Sequence, residues 1–287
     1  MNQFRLRRYM KDIIYISGYN QNKIYNKNDI ITNIIDKMKI KFDRSIFIKD
    51  LGIKILNVKM PYNINSVAYN RNFKRIIERK RYKDYSIAPK VWRKKDFKYF
   101  NSFQKDLFSY SVSKSIQLIL RLQNKSIKNS TILVYDPLDE GMKEIIKFIC
   151  IMAKNLIFLT EDISKVIKIS ECISANYGIA PIITKDKEYA LKYSDFVVTS
   201  RNIKTYDKLI WYIDNLYEVD CKSIKAVNDV YYNVPWNIFS ENNISIEVLG
   251  AILNEMEEKN VEKALKYNGI ELRNIKFNDR NINFTRY

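Results

Sequence analysis

Histidine does not occur anywhere in the 287 residues. Its absence excludes a Ser-His-Asp or Cys-His catalytic set, a histidine-containing zinc site and any imidazole acid or base. Cysteine is nearly as scarce. Cys150, Cys172 and Cys221 form an odd set without a CxxC pair, which gives neither a disulfide framework nor the ligand spacing of a cysteine-only zinc site. Cys150 and Cys172 fall on apolar helix faces and read as reduced thiols acting as small core hydrophobes. Glycine (6) and proline (5) are few, and there is no internal repeat or long low-complexity tract. Long hydrophobic runs are missing too. No uninterrupted apolar stretch reaches about 18 residues, so no spanning helix is expected. The basic start, Met1 to Arg8, is not followed by a signal-peptide core, because polar residues soon interrupt the run from Ile13 to Ile16. A cytoplasmic protein is expected.

What is present is a globular balance, with 46% hydrophobic and 29% charged residues. A chain of this length builds one large or two ordinary domains. Its charge is lopsided, +18 from 50 Lys+Arg against 32 Asp+Glu. Such an excess attracts nucleic acid, anionic membrane or acidic partners. The accompanying wealth of Lys, Asn, Ile and Tyr is also what A/T-rich codons produce, so the charge has two sources to choose between.

The first hundred residues mix strands and basic segments and read as an α+β domain, 1–100. Asp12 to Ser17 predicts a strand. Ile30, Ile31, Ile34, Ile35 and Met38 have helical spacing. Ser45 to Ile48 and Lys54 to Met60 predict two strands joined at Asp50-Leu51-Gly52, with Pro61 ending the second. Arg71 to Lys83 predicts a basic helix, and Ser102 to Gln123 a long connecting helix within 101–127.

From 128 to 220 the pattern changes to short continuous apolar runs alternating with helices. The runs are Thr131 to Tyr135, Asn155 to Thr160, Ala180 to Thr184 and Asp195 to Thr199. Helices are predicted over Glu140–Lys154, Ile163–Tyr177 with Gly178 as its cap, and Lys187–Tyr193. Strands buried on both faces with helical crossovers give one parallel sheet, so the fold class is α/β. Tyr206 to Tyr217 and Ile246 to Lys266 predict further helices, the second within a C-terminal helical segment, 221–287.

In an open parallel sheet a ligand lies beyond the carboxyl ends of the strands. Here that directs attention to Asp136-Pro137-Leu138-Asp139-Glu140-Gly141 after the first strand. The run Thr131 to Thr199 resembles the nucleotide-binding half of the shikimate dehydrogenase, glutamyl-tRNA reductase and alanine dehydrogenase group. The likeness covers about a quarter of the chain. It lies in the strand lengths, in Glu161 of the sequence LTED after the second strand, and in Tyr193-Ser-Asp-Phe-Val-Val-Thr199. The resemblance implies a Rossmann-type domain, with Glu161 placed to hold a ribose and Thr199 lying against NAD(P). The first loop departs from the family. Where G-x-G-x-x-G would let the backbone reach a pyrophosphate, this chain has one glycine, Gly141, and the carboxylates of Asp136, Asp139 and Glu140. Like charges about 4 Å apart cost roughly 1 kcal/mol even in water.

The expectation is therefore a Rossmann-like binding, regulatory or structural component rather than a working dehydrogenase, with no cofactor and no metal. An NAD(P)-dependent oxidoreductase using Asp136, Asp139, Gly141, Glu161 and Thr199 is the alternative, and its catalytic residues are not identified. Asp139, Glu140 and Glu161 also read simply as the acidic starts of helices. Asp136 and Asp139, with Asp186 or Glu161, would be the oxygen ligands if a Mg²⁺ were bound. A second alternative lies in residues 71–98, where twelve Lys/Arg alternate with Phe73, Tyr82, Tyr85, Trp92 and Phe97. There Arg71, Lys74, Arg75, Arg79, Arg81 and Arg93 would meet the phosphates of a nucleic acid. No base-reading motif accompanies them. A protein partner is also compatible with the sequence.

Overall fold

The computed structural model describes residues 11–19, 24–78, 85–203, 205, 208–216, 226–237, 243–277 and 280–281. The chain forms two compact units, each assembled from separated segments. Unit 1 comprises Met1–Gln104 and Tyr232–Arg273, and unit 2 comprises Lys105–Tyr231 and Asn274–Tyr287. The successive blocks expected from the sequence are thus interleaved.

In unit 1 the chain runs β1 (Ile13–Gly18), α1 (Ile30–Lys39), β2 (Lys41–Phe42), β3 (Ile46–Ile48), β4 (Ile53–Met60), α2 (Ser66–Ile77), β5 (Ser86–Lys90) and α3 (Arg93–Asp96). Its sheet has the order β2-β4-β1-β5, with β3 also paired to β4. β1 is parallel to β4 and β5, whereas β2 and β3 are antiparallel to β4. The central β1 carries Ile13, Ile14 and Ile16, all buried, as a strand covered on both faces requires. Its last residue, Gly18, lies against the Tyr62 ring so closely that a Cβ would enter it.

α2 begins at Ser66 rather than Arg71. Asn65 supplies the reason, since its side chain accepts from the Val67 and Ala68 N–H groups at 3.1 and 3.3 Å. The part of the expected helix at 79–83 lies outside the described residues. α1 forms where expected, but it is turned over. Thr32 and Asp36 face the protein, and Ile30, Ile31, Ile34, Ile35 and Met38 face out.

α4 (Ser102–Leu122) leads into unit 2, followed by β6 (Thr131–Tyr135), α5 (Met142–Met152), β7 (Asn155–Leu159), α6 (Ile163–Tyr177), β8 (Ile182–Thr184), α7 (Lys187–Lys192), β9 (Phe196–Thr199), β10 (Leu209–Tyr212) and β11 (Ala226–Val227). Their sheet has the order β11-β10-β9-β6-β7-β8, and every neighbouring pair is parallel. Counted from β6 this is 3-2-1-4-5-6. Leu133, Ile157, Val197, Ile210 and Ala226 pack together in its core. Trp211 meets Phe108 edge-on, its Nε1–H donating to Ser115 Oγ at 2.8 Å. Gly178 caps α6 with φ +66°.

Three further expectations change. The helix expected over Tyr206–Tyr217 is strand β10 where it is described, because Leu209 to Tyr212 are four consecutive buried residues between parallel neighbours. Cys150 is buried and its thiol is pushed up to about 11 by that burial, but Cys172 is exposed on α6 rather than in the core. Cys221 lies outside the described residues.

The third change concerns the C-terminal segment, which holds strands as well as helices. β12 (Asp229–Asn233), β13 (Asn243–Ser245), β14 (Glu271–Phe277) and β15 (Arg280–Asn281) give the order β13-β12-β14-β15. The helix expected over Ile246–Lys266 is two helices, α8 (Ile246–Asn254) and α9 (Val261–Tyr267). Asn260 restarts it by accepting from Lys263 N–H at 3.0 Å, and Lys259 Nζ closes the first by donating to Met256 O at 2.8 Å.

Candidate functional site

Register brings the carboxyl ends of three strands of unit 2 level. Tyr135 of β6 is paired with Leu159 of β7 on one side and with Thr199 of β9 on the other. β6 continues to β7 in one direction, and β9 lies on the opposite side, so the crevice of an open parallel sheet falls between β6 and β9. The residues at its mouth are Asp136 and those that follow Thr199.

Asp136 holds φ +63°, a left-handed conformation uncommon outside glycine, and its N–H donates to Leu159 O at 2.9 Å. The next turn closes through Asp139 N–H to Asp136 O and Met142 N–H to Asp139 O, both 3.1 Å. Gly141, at φ +87°, then turns the chain into α5. From the other side, Arg201 forms an ion pair with the Asp136 carboxylate, and the Ser200 hydroxyl donates to Asp139 Oδ2. Thr199 is buried. Its hydroxyl accepts from Arg201 N–H and donates to Arg201 O, each at 2.9 Å, which fixes the turn that presents Arg201. Two carboxylate contacts therefore clasp the two loops across the crevice.

Asp136, Asp139 and Gly141 lie in the loop after β6, and Thr199 ends the neighbouring β9. Glu161 stands apart from this clasp, exposed just past β7. The neighbouring Asp162, not Glu161, caps α6, accepting from Lys165 N–H at 3.2 Å. Its carboxyl is held low by Lys165. Asp186 likewise caps α7, accepting from Tyr189 N–H at 2.9 Å. Among the described residues no group of three or more Cys, Asp or Glu is placed to hold a metal ion. Ser200 and Arg201 were missed. The signal was the acidic loop itself, which calls for a cation on the facing strand end, and Arg201 lies two residues beyond β9.

Asp195, the aspartate of the family-like phrase, works at the opposite, amino-terminal ends of the strands. Its carboxylate accepts from Thr131 N–H at 2.9 Å and from Lys125 Nζ at 2.5 Å. Burial alone would raise its pKa, but these donors hold it below the usual range. It ties the start of β6 to β9.

Among the described residues of the basic block, the arginines are engaged by neighbouring side chains. Arg93 is only 2% exposed and pairs with Glu247, itself 1% exposed, at 3.1 Å, so it is unavailable to a phosphate at the surface. Arg75 donates to Asn33 Oδ1 at 2.7 Å and Asn72 Oδ1 at 3.2 Å. Arg71 donates to Asn28 Oδ1 at 3.2 Å, and Lys74 pairs with Glu78 at 3.5 Å. Arg79 and Arg81 lie outside the described residues.

Besides Glu247, two buried carboxylates organise this unit. Asp36 accepts from Asn63 and Asn72 Nδ2 at 2.9 and 2.8 Å and from the Tyr25 hydroxyl. Asp96 accepts from the Val91 and Trp92 N–H groups, each at 2.8 Å, and from the Tyr69 hydroxyl. Burial nevertheless pushes the Asp96 carboxyl up to about 7 against those donors, with Glu247 adding to the rise.

Unit 2 is a Rossmann-type domain. Its strand order and uniformly parallel pairing establish that. No family model matches the chain, and no curated protein matches it. Among solved structures it is similar to shikimate 5-dehydrogenase from Listeria monocytogenes, crystallised with shikimate and NAD. That match has 10% identity and a TM-score of 0.34, over 73% of this chain and 80% of that one. Ornithine carbamoyltransferase from Pyrococcus furiosus matches at 13% identity and TM-score 0.36, over 90% and 84%. L-Tryptophan dehydrogenase from Nostoc punctiforme matches at 9% and 0.31, over 66% and 54%. Likenesses of this size assign no activity to the chain. No described helix is long and apolar enough to cross a membrane.

Proposed function

We propose that this protein is a Rossmann-like binding or regulatory component whose switch-point crevice is closed by its own side chains, and that it does not turn over NAD(P). The Asp136–Arg201 ion pair carries the reading. A dinucleotide needs neutral backbone N–H groups open to its pyrophosphate at this turn. Here a carboxylate occupies that turn, and the nearest cation is already paired with it. Asp139 and Ser200 form a second bond across the same gap. The residues present do not fit NAD(P) held in the family's manner.

Thermal unfolding with and without NAD⁺, NADH, NADP⁺ and NADPH tests this. At 1 mM cofactor the midpoint is expected to stay unchanged within error. A saturable rise of several degrees with any of the four overturns the proposal, since binding at 100 times Kd adds about 2.7 kcal/mol.

A further inference from the structure

Helix α1 exposes five large apolar side chains on one face. Ile30 is 79% exposed, Ile31 71%, Ile34 56%, Ile35 41% and Met38 77%. At 100° per residue they fill one arc of about 140°. Large aliphatic residues scattered singly on a surface need no explanation, but a contiguous stripe of five marks a contact surface. The helix is held in this inverted orientation by polar bonds. Asp36 on its inner face takes the Asn63, Asn72 and Tyr25 donors, and Asp29 caps it, accepting from Thr32 N–H at 2.8 Å. Rolling the apolar face inward would strip the buried Asp36 carboxylate of all three donors.

The charge around the stripe selects its occupant. Lys37 borders the apolar arc on one side and Lys39 on the other, and the exposed Lys27 and Lys41 flank the two ends of the helix. The acids nearby are Asp29, turned to the inner arc and engaged as the cap, and Asp43 beyond β2. We infer that α1 docks on the surface of a bilayer rich in anionic lipid, its isoleucines and Met38 entering the headgroup–acyl boundary and its lysines meeting the phosphates. A helix lying in the plane of the interface needs this combination of apolar face and basic border. A second copy of the chain fits the charge poorly. Each copy carries +18, and pairing two such stripes adds lysine to lysine with no acid on either apolar arc.

Flotation of the full-length protein with vesicles tests the inference. Vesicles of phosphatidylglycerol and phosphatidylcholine are compared with phosphatidylcholine alone, at low and high salt. Three proteins are used: wild type, the double variant Ile31→Glu/Ile34→Glu, and Ile151→Glu. Ile151 is 60% exposed on α5 and controls for loss of any surface isoleucine. Wild type and Ile151→Glu are expected to float with the anionic vesicles and not with phosphatidylcholine alone. The double variant is expected to bind at least tenfold more weakly with unchanged thermal unfolding, because the substituted side chains are already in water. Failure of wild type to float on anionic vesicles overturns the inference. So does equal flotation of the double variant, which would mean adsorption by net charge alone. A wild-type dimer in sedimentation that the double variant dissociates assigns the stripe to a second copy and also overturns it.

Discussion

At the scale of single residues, Asp136 combines a left-handed backbone with an ion pair to a half-exposed arginine. Asp136→Gly suits the backbone and releases Arg201. The expected result is a stability change within about 1 kcal/mol and new affinity for inorganic pyrophosphate, measured by titration calorimetry, where wild type shows none. Asp96 gives a second prediction. Its carboxyl is raised to about 7 in the fold, from 3.8 ordinarily. Between those values the folded state holds a proton that the unfolded chain has released, so stability falls as pH rises through that window. The slope attributable to Asp96 approaches 1.4 kcal/mol per pH unit at most. Asp96→Asn keeps an oxygen for the Val91 and Trp92 N–H groups and turns an amide toward Tyr69. In denaturant titrations the wild type is expected to lose stability from pH 4 to 7 relative to this variant, and equal pH profiles for the two would refute the assignment.

At the scale of elements, β1 and the loop after β4 meet through Gly18 and Tyr62. Gly18→Ala is expected to cost about 1–3 kcal/mol by driving the ring from its place, seen as a lowered urea midpoint with an unchanged m-value. Most elements of unit 2 were legible because each states its period twice, in an apolar run and in the cap that ends it. The run from Ile163 to Tyr177 with Gly178 behind it is the clearest case. β10 was not legible, because the short run Leu209 to Tyr212 fits a buried helix turn as well as a strand until its parallel neighbours are known. The outward turn of α1 was hidden for the opposite reason. Its spacing was unmistakable, but the three donors to Asp36 come from residues 25, 63 and 72, and no local pattern shows them. Arg201 escaped notice in the same way, since its partner lies across the sheet rather than along the chain.

For the whole molecule, unit 1 depends on α8, which packs on β5 and β1 and supplies Glu247 to the buried Arg93. Glu247→Ala leaves an uncompensated charge inside and is expected to cost about 3–5 kcal/mol. In hydrogen exchange the amides of β1, β5 and α8 are expected to lose protection together, although the sequence separates them widely. That separation sets the order of events during synthesis. β1 to β5 leave the ribosome before the parallel sheet of unit 2, and that whole sheet precedes α8. At ordinary elongation rates the wait is on the order of 10 s. Through that interval the nascent N-terminal sheet presents bare the surface that α8 will cover.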